Sequence, residues 1–331
     1  MSPSSSSSSI TSSSSSTIKS SSSLPYLCLR EIFEFALQKF EPEYNSLFDF
    51  NLFELPGAEI SLTNLSKFSC YGEPYNINLY ESASKISTKI QDLKIILFYG
   101  CPINPSTLIN ISNFIRSQHQ IKEFFIDNRI GCDCCTHDLS LALDLTIIFK
   151  SLNTQISTLS RINFISIDFH NKFPFDQLSK CENLLELNIK GYSKEIQYLP
   201  KFLRSSTKLN KLEIWDKSMR RKEMELLEII NLDDELFSDI GESLPIKLKD
   251  LTINMKWNFS IKSFENFIKN CKAPLDILSF EFCECFDNDY FDILIKNLKR
   301  SLKKLNIRYC KAKLNSEIRK KNEYLIQQID S

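Results

Sequence analysis

Six glycines and three histidines among 331 residues set the first limits on what this chain can do. The closest glycines, Gly57 and Gly72, stand 15 residues apart. No GxGxxG or GxxxxGK[S/T] loop can therefore be assembled to cradle a phosphate. His119, His137 and His170 form no HExxH pair, and no GxSxG nucleophile turn occurs. Adjacent acids such as Asp233 and Asp234 lie in a charged run and are expected to face solvent. Neither catalysis nor a cofactor is expected. Long apolar runs are also missing: no stretch approaches the roughly 18 residues needed to span a bilayer, and the N-terminus lacks the apolar core of a signal peptide. An excess of one charge is missing as well, since 41 basic and 41 acidic residues cancel. That balance removes the electrostatic footprint of a nucleic-acid or membrane-surface binder. These absences predict a soluble intracellular protein, cytoplasmic or nuclear, with no nucleic-acid, membrane or small-molecule partner.

What the chain does contain is repetition. Leu275, Leu278 and Phe280 are followed by Cys283, and the same offsets recur at Leu302, Leu305, Ile307 and Cys310. Between them Phe291, Leu294, Ile295 and Leu298 fall on one helical face. One unit is thus a short strand, a turn and a helix. Similar triplets occur at Leu248/Leu251/Ile253, Leu209/Leu212/Ile214, Leu184/Leu187/Ile189, Ile162/Ile165/Ile167, Ile121/Phe124/Ile126, Leu93/Ile96/Phe98 and Leu65/Phe68/Cys70. Successive starts are separated by 28, 28, 41, 22, 25, 39, 27 and 27 residues. Most intervals share one period and two carry insertions, although the frame near Ile162 could instead begin at Leu159. A single unit cannot bury its apolar face alone, whereas stacked units share strand and helix layers. The expected fold is therefore α/β: a curved leucine-rich-repeat solenoid over 52–313, with parallel strands on the concave face and helices on the convex face.

The eleven cysteines fit this period better than a disulfide framework. Cys101, Cys283 and Cys310 lie eight residues after a unit start, and Cys181 and Cys271 lie just before one. Reduced packing thiols are the reading. Cys132, Cys134, Cys135 and His137 bring zinc-type ligands together, but their spacing is not that of paired CxxC sites. They are read as a loop in which Thr136 caps the helix Leu139 to Leu152, and no metal is assigned.

Residues 1–23 are almost wholly serine and threonine and are expected to stay disordered. The insertion Lys217 to Glu242 has a basic start and an acidic end, and reads as a solvated helix and loop or as a partner-binding excursion. At the C-terminus, 314–331 reads as an amphipathic closing helix carrying Leu314, Ile318, Leu325, Ile326 and Ile329.

Residues 24–40 read as a short helix, begun by Pro25, that caps the open edge of the first repeat; 41–51 are a linker. Leu24, Pro25, Cys28, Leu29, Ile32 and Phe33 also resemble the LPxxxLxxIF opening of an F-box. With its cysteine-bearing repeats the chain is similar to the fungal F-box and leucine-rich-repeat proteins. That resemblance implies that these six residues dock a Skp-family adaptor, and that the chain is a substrate-receptor subunit of a cullin-type ubiquitin ligase. Glu41 to Phe50 supplies neither the later F-box helices nor their Trp, so the F-box is truncated or degenerate. A stand-alone repeat scaffold with no ubiquitin link is the alternative.

Binding is assigned to the strand face. Residues at offsets +2, +4 and +6 of each unit alternate away from the core, which gives Tyr71, Leu97, Tyr99, Phe125, Asp127, Glu213, Trp215, Asn254, Glu281 and Arg308 as target-binding residues. Exposed aromatics on a rigid sheet are the usual anchors of an interface. Tyr71, Tyr99 and Trp215 stand at strand ends and could instead fold over the turns. The target is an unknown protein.

Overall fold

The computed structural model describes residues 58–71, 77–99, 105–130, 145–165, 175–190, 196–215, 230–231, 234–283, 286–298, 301–308 and 326–329. The chain divides into two units, Met1–Lys39 and Phe40–Ser331, and every described residue belongs to the second. The F-box-like segment, the serine tail, the Cys132 to His137 cluster and most of the charged insertion lie outside the described residues.

Alternation of large apolar and polar side chains produces a ladder of short strands: β1 Lys67–Tyr71, β2 Asp92–Tyr99, β3 Glu123–Ile130, β4 Arg161–Ile165, β5 Glu186–Lys190, β6 Lys211–Trp215, β7 Ile230–Asn231, β8 Asp250–Asn258, β9 Ile277–Cys283, β10 Lys304–Arg308 and β11 Ile326–Ile329. All belong to one sheet in chain order, with β7 pairing β8 off the main path. Every pairing is parallel. Parallel neighbours need a crossover, and helices supply it. These are α1 Ala58–Ser61, α2 Ile77–Ile86, α3 Pro105–Ser117, α4 Thr146–Leu152, α5 Phe175–Leu178, α6 Leu199–Ser205, α7 Asp234–Ser243, α8 Ile261–Asn270 and α9 Asn288–Leu298. This is the leucine-rich-repeat solenoid that the period predicts. Helices need about 8–10 Å between axes while strands need about 4.8 Å, a mismatch that favours bending with the strands on the inside. No described helix is long and apolar enough to cross a membrane.

The register corrects two unit starts. Leu93 pairs with Phe68 and Phe124, so Leu93 and Ile95 occupy the two strand positions of their unit, and that unit begins at Ile90. Ile162 likewise pairs with Phe124 and Leu187, which sets the next start at Leu159. The core side of the strands is then uniform: Phe68, Leu93, Phe124, Ile162, Leu187, Leu212, Leu251, Leu278 and Leu305 form one buried row, and Cys70, Ile95, Ile126, Phe164, Ile189, Ile214, Ile253, Phe280 and Ile307 form the next.

Backbone hydrogen bonds fix that phase. The residue after each unit start accepts through its carbonyl from two consecutive N–H groups of the next unit. Ser66 O accepts from Gln91 and Asp92, Gln91 O from Lys122 and Glu123, and Lys122 O from Ser160 and Arg161; the pattern continues to Asp276 O, which accepts from Lys303 and Lys304. Each distance lies between 2.8 and 3.1 Å. The turns before the strands are reinforced by two buried glutamines. Gln118 Nε2 donates to Ser87 O at 2.9 Å while its Oε1 accepts from Ile90 N at 3.2 Å. One unit on, Gln155 Nε2 donates to Gln118 O at 2.7 Å and its Oε1 accepts from Ile121 N at 3.2 Å.

Two further expectations are corrected. The end of the charged insertion is a helix, as one of its two readings has it, but not a solvated one: Asp234–Ser243 is the helix of its own repeat, with Phe237 and Ile240 buried. Its apolar residues recur at helical spacing, and that face outweighs the acidic residues around it. The closing segment is not helical where it is described, because Ile326–Ile329 pairs with β10 as a further parallel strand. An unpaired strand edge leaves a row of backbone donors and acceptors open, and β11 satisfies them on β10.

Aromatic side chains fill the space between the helix layer and the sheet on the C-terminal side. Phe237 stacks on Phe259 at 4.3 Å and on Phe267 at 4.6 Å between ring centroids. Phe264 meets Phe280, Phe286 and Tyr290. Tyr290 also donates through its hydroxyl to Phe259 O at 2.8 Å.

The described cysteines Cys70, Cys181 and Cys271 are free thiols. Burial pushes Cys70 up to about 12 and Cys181 and Cys271 up to about 11, from the ordinary 9.0. The folded chain therefore holds these protons more tightly than the unfolded chain does. The resulting stability is complete below pH 9.0 and is lost as pH rises toward 11 and 12. Each thiol accounts for about 1.4 kcal/mol per pH unit in that window. Urea midpoints measured at successive pH values should fall above about pH 9, less steeply in Cys70→Ala. A pH-independent midpoint there would contradict thiol burial.

Candidate protein-binding face

Helices cover one side of the sheet, and among the described residues no element covers the other. Pleating sends alternate residues of each strand to this open side, and the parallel register aligns them in three rows. The row at +2 is charged: Lys67, Asp92, Glu123, Arg161, Glu186, Lys211 and Asp250 stand side by side, followed by Ile277 and Lys304. The row at +4 runs Ser69, Lys94, Phe125, Asn163, Asn188, Glu213, Thr252, Ser279 and Asn306. The row at +6 runs Tyr71, Ile96, Asp127, Ile165, Lys190, Trp215, Asn254, Glu281 and Arg308.

Opposite charges in the +2 row answer one another across strands. Arg161 bridges two of them, with Nη1 2.5 Å from Glu123 Oε1 and Nε 3.2 Å from Glu186 Oε1. Lys67 lies 3.6 Å from Asp92, and Lys211 lies 2.8 Å from Glu213 on its own strand. Half-exposed pairs of this kind contribute about 0–1 kcal/mol each, so they order the surface more than they stabilise it. Hydrogen bonding to Glu213 raises the Lys211 pKa. Burial raises that of Asp250, with Glu213 and Glu186 nearby adding to the effect against Lys211 and Lys304. Two further lysines lie over aromatic rings of the next strand: Lys94 Nζ is 4.8 Å from the Phe125 centroid, and Lys190 Nζ is 4.5 Å from that of Trp215.

Of the residues assigned to target binding, Phe125, Glu213 and Trp215 are half-buried on this face. Asp127 and Asn254 take their places in the +6 row but are only 3% exposed each, so their short side chains are not surface contacts. Leu97 is a clear correction. It is 0% exposed, two residues beyond the buried Ile95, because its unit begins at Ile90 and the +4 position belongs to Lys94. Tyr99 stands two residues further along β2; its side chain, like those of Tyr71, Glu281 and Arg308, lies outside the described residues. Sequence reasoning missed Lys94, Arg161, Asn163, Asn188 and Lys190, all of which follow once the three offsets are read through every unit in the corrected phase.

Among the described residues no group of three or more His, Cys, Asp or Glu side chains could hold a metal ion. No family model matches the chain, and no curated protein matches it. Among solved structures, the chain is similar to one from the Rad7 and Elc1 complex in yeast, at 14% identity and a TM-score of 0.40, over 90% of this chain and 83% of that one.

Proposed function

We propose that the chain is a protein-interaction subunit that selects a partner protein with the open face of its sheet. The observation that supports this reading is a sheet face that no described element covers, where half-buried Phe125 and Trp215 stand among rows of polar and charged side chains. Aromatic anchors surrounded by a polar rim are the make-up of a protein interface. A photo-crosslinking benzoylphenylalanine in place of Asn163, at the centre of the face, should capture the partner in cells. The same group in place of Asn113, exposed on α3, should not. Capture from position 113 alone would move the binding surface to the helix layer.

The finer reading is a substrate receptor of a Skp-cullin-F-box type ubiquitin ligase, with Leu24, Pro25, Cys28, Leu29, Ile32 and Phe33 docking the adaptor. It is motivated by the F-box-like opening of 24–40, and in it the transfer chemistry belongs to the partners. The purified chain should then bind its own Skp-family adaptor and lose that binding on Leu29→Asp with Ile32→Asp. Absence of adaptor binding would leave the second reading, a stand-alone repeat scaffold, which the missing later F-box helices favour.

A further inference from the structure

From β2 to β5 most charges on the open face are ion-paired within it, but Lys94 and Lys190 are not. Lys94 and Lys190 make no ion pair among the described residues, and their contacts are with the rings of Phe125 and Trp215. A lysine held over a ring keeps its full charge, and that contact is weaker than a charge-assisted hydrogen bond to a carboxylate. Beside Lys190 the Trp215 Nε1–H is buried with no acceptor, and on the same strand Asn188 Oδ1 is buried with no donor. Polar atoms in that state are rare in native structures. A carboxylate that draws Lys190 off the ring uncovers the indole and can accept from the ammonium and from the indole N–H, while Asn188 Oδ1 is left to accept from a backbone N–H of the same segment.

Taking the face as the binding surface, we propose that it reads an extended acidic segment of the partner protein, with carboxylates seated at Lys190 and at Lys94. Charge complementarity selects this occupant. Asp92, Glu123, Glu186 and Glu213 are paired with cations of the face, and Asp127, the carboxylate nearest the line joining the two lysines, is buried and engaged in an interaction of its own. The unanswered charge along that line is therefore positive. The lysines are three strand spacings and two residues apart, about 16 Å, which an extended chain covers in about five residues. Between them Phe125 and Ile165 are half-buried and can take an apolar side chain. Asn163 and Asn188 carry amides suited to a peptide backbone.

The test uses the full chain and a fluorescein-labelled peptide of Gly, Ser and Leu carrying two glutamates about five residues apart. Fluorescence polarisation should show saturable binding, weakened about tenfold by Lys94→Glu or by Lys190→Glu and retained in Lys190→Arg. Peptides with lysine in place of glutamate, or with the two glutamates adjacent, should bind at least about tenfold more weakly. Equal binding of the lysine peptide or of a single-stranded oligonucleotide would overturn the proposal. So would unchanged binding to glutamate variants whose thermal unfolding matches that of the parent. The same variants carried through the crosslinking experiment separate the two levels. Capture from position 163 that ignores Lys94→Glu and Lys190→Glu sinks the acidic chemistry and leaves the face, whereas loss of capture from 163 in the parent chain sinks both.

Discussion

Valine in place of Gly241 should lower the stability of the array by about 3 kcal/mol, read as a fall in the urea midpoint. Gly241 lies where α7 packs on α8. A Cβ built there would stand 2.5 Å from Phe267 O and 2.8 Å from Phe267 Cα. Those atoms are backbone and cannot rotate aside, so the helices must separate, and the rings of Phe237 and Phe267 stacked between them separate too. Alanine makes the sharper comparison. Replacing glycine inside a helix normally stabilises it by about 1 kcal/mol, whereas overpacking costs about 1–3 kcal/mol. The contact distance places Gly241→Ala on the destabilised side. Glu242→Ala, on the exposed face of the same helix, should change little. A Gly241→Ala chain as stable as its parent would mean that α7 and α8 do not approach this closely.

Gln155→Leu should cost about 2–6 kcal/mol, although it puts an apolar group into a buried site. The glutamine side chain serves Gln118 O and Ile121 N, two backbone groups with no other hydrogen bond among the described residues, and adds a bond to Ile115 O at 3.1 Å. Leucine satisfies neither group, and leaving each unpaired costs about 1–3 kcal/mol. Chemical denaturation checks the total. Hydrogen exchange checks the place, because the amide of Ile121 should lose protection first. A neutral substitution would show that water replaces the glutamine.

The period of large apolar residues was legible because burial repeats wherever β-strand and helix layers repeat, and eight of the nine unit starts were recovered or offered as an alternative. The frame at Leu93 failed for a local reason. Lys94 is followed by Ile95, Ile96, Leu97 and Phe98, four apolar residues in a row, and such a run erases the alternation that marks which side is which. The neighbouring strands settle the phase in space, and no feature of that unit alone could. Ile326 and Ile329 misled in a similar way, since a spacing of three fits a helix; they pair with Leu305 and Ile307 across a register shift. Gln118 and Gln155 look like ordinary turn residues in the sequence. Their hydrogen bonds run to the turn of the preceding unit, a partner that only the stacking of units supplies. On the candidate face, Phe125, Glu213 and Trp215 were legible from strand parity, whereas Lys94 was hidden by the frame error.

The doubled carbonyl acceptors fix where each strand begins and impose nothing on where the following helix must start. Extra chain can therefore enter only after a strand, and the two longest units obey this: β3 ends at Ile130 and α4 begins at Thr146, while β6 ends at Trp215 and α7 begins at Asp234. Growth in length falls on one rim of the molecule, where part of the second insertion returns as β7 beside the end of β8. Over evolutionary time that rim is free to vary, so relatives of this chain should differ there in length and composition while holding the other rim nearly constant.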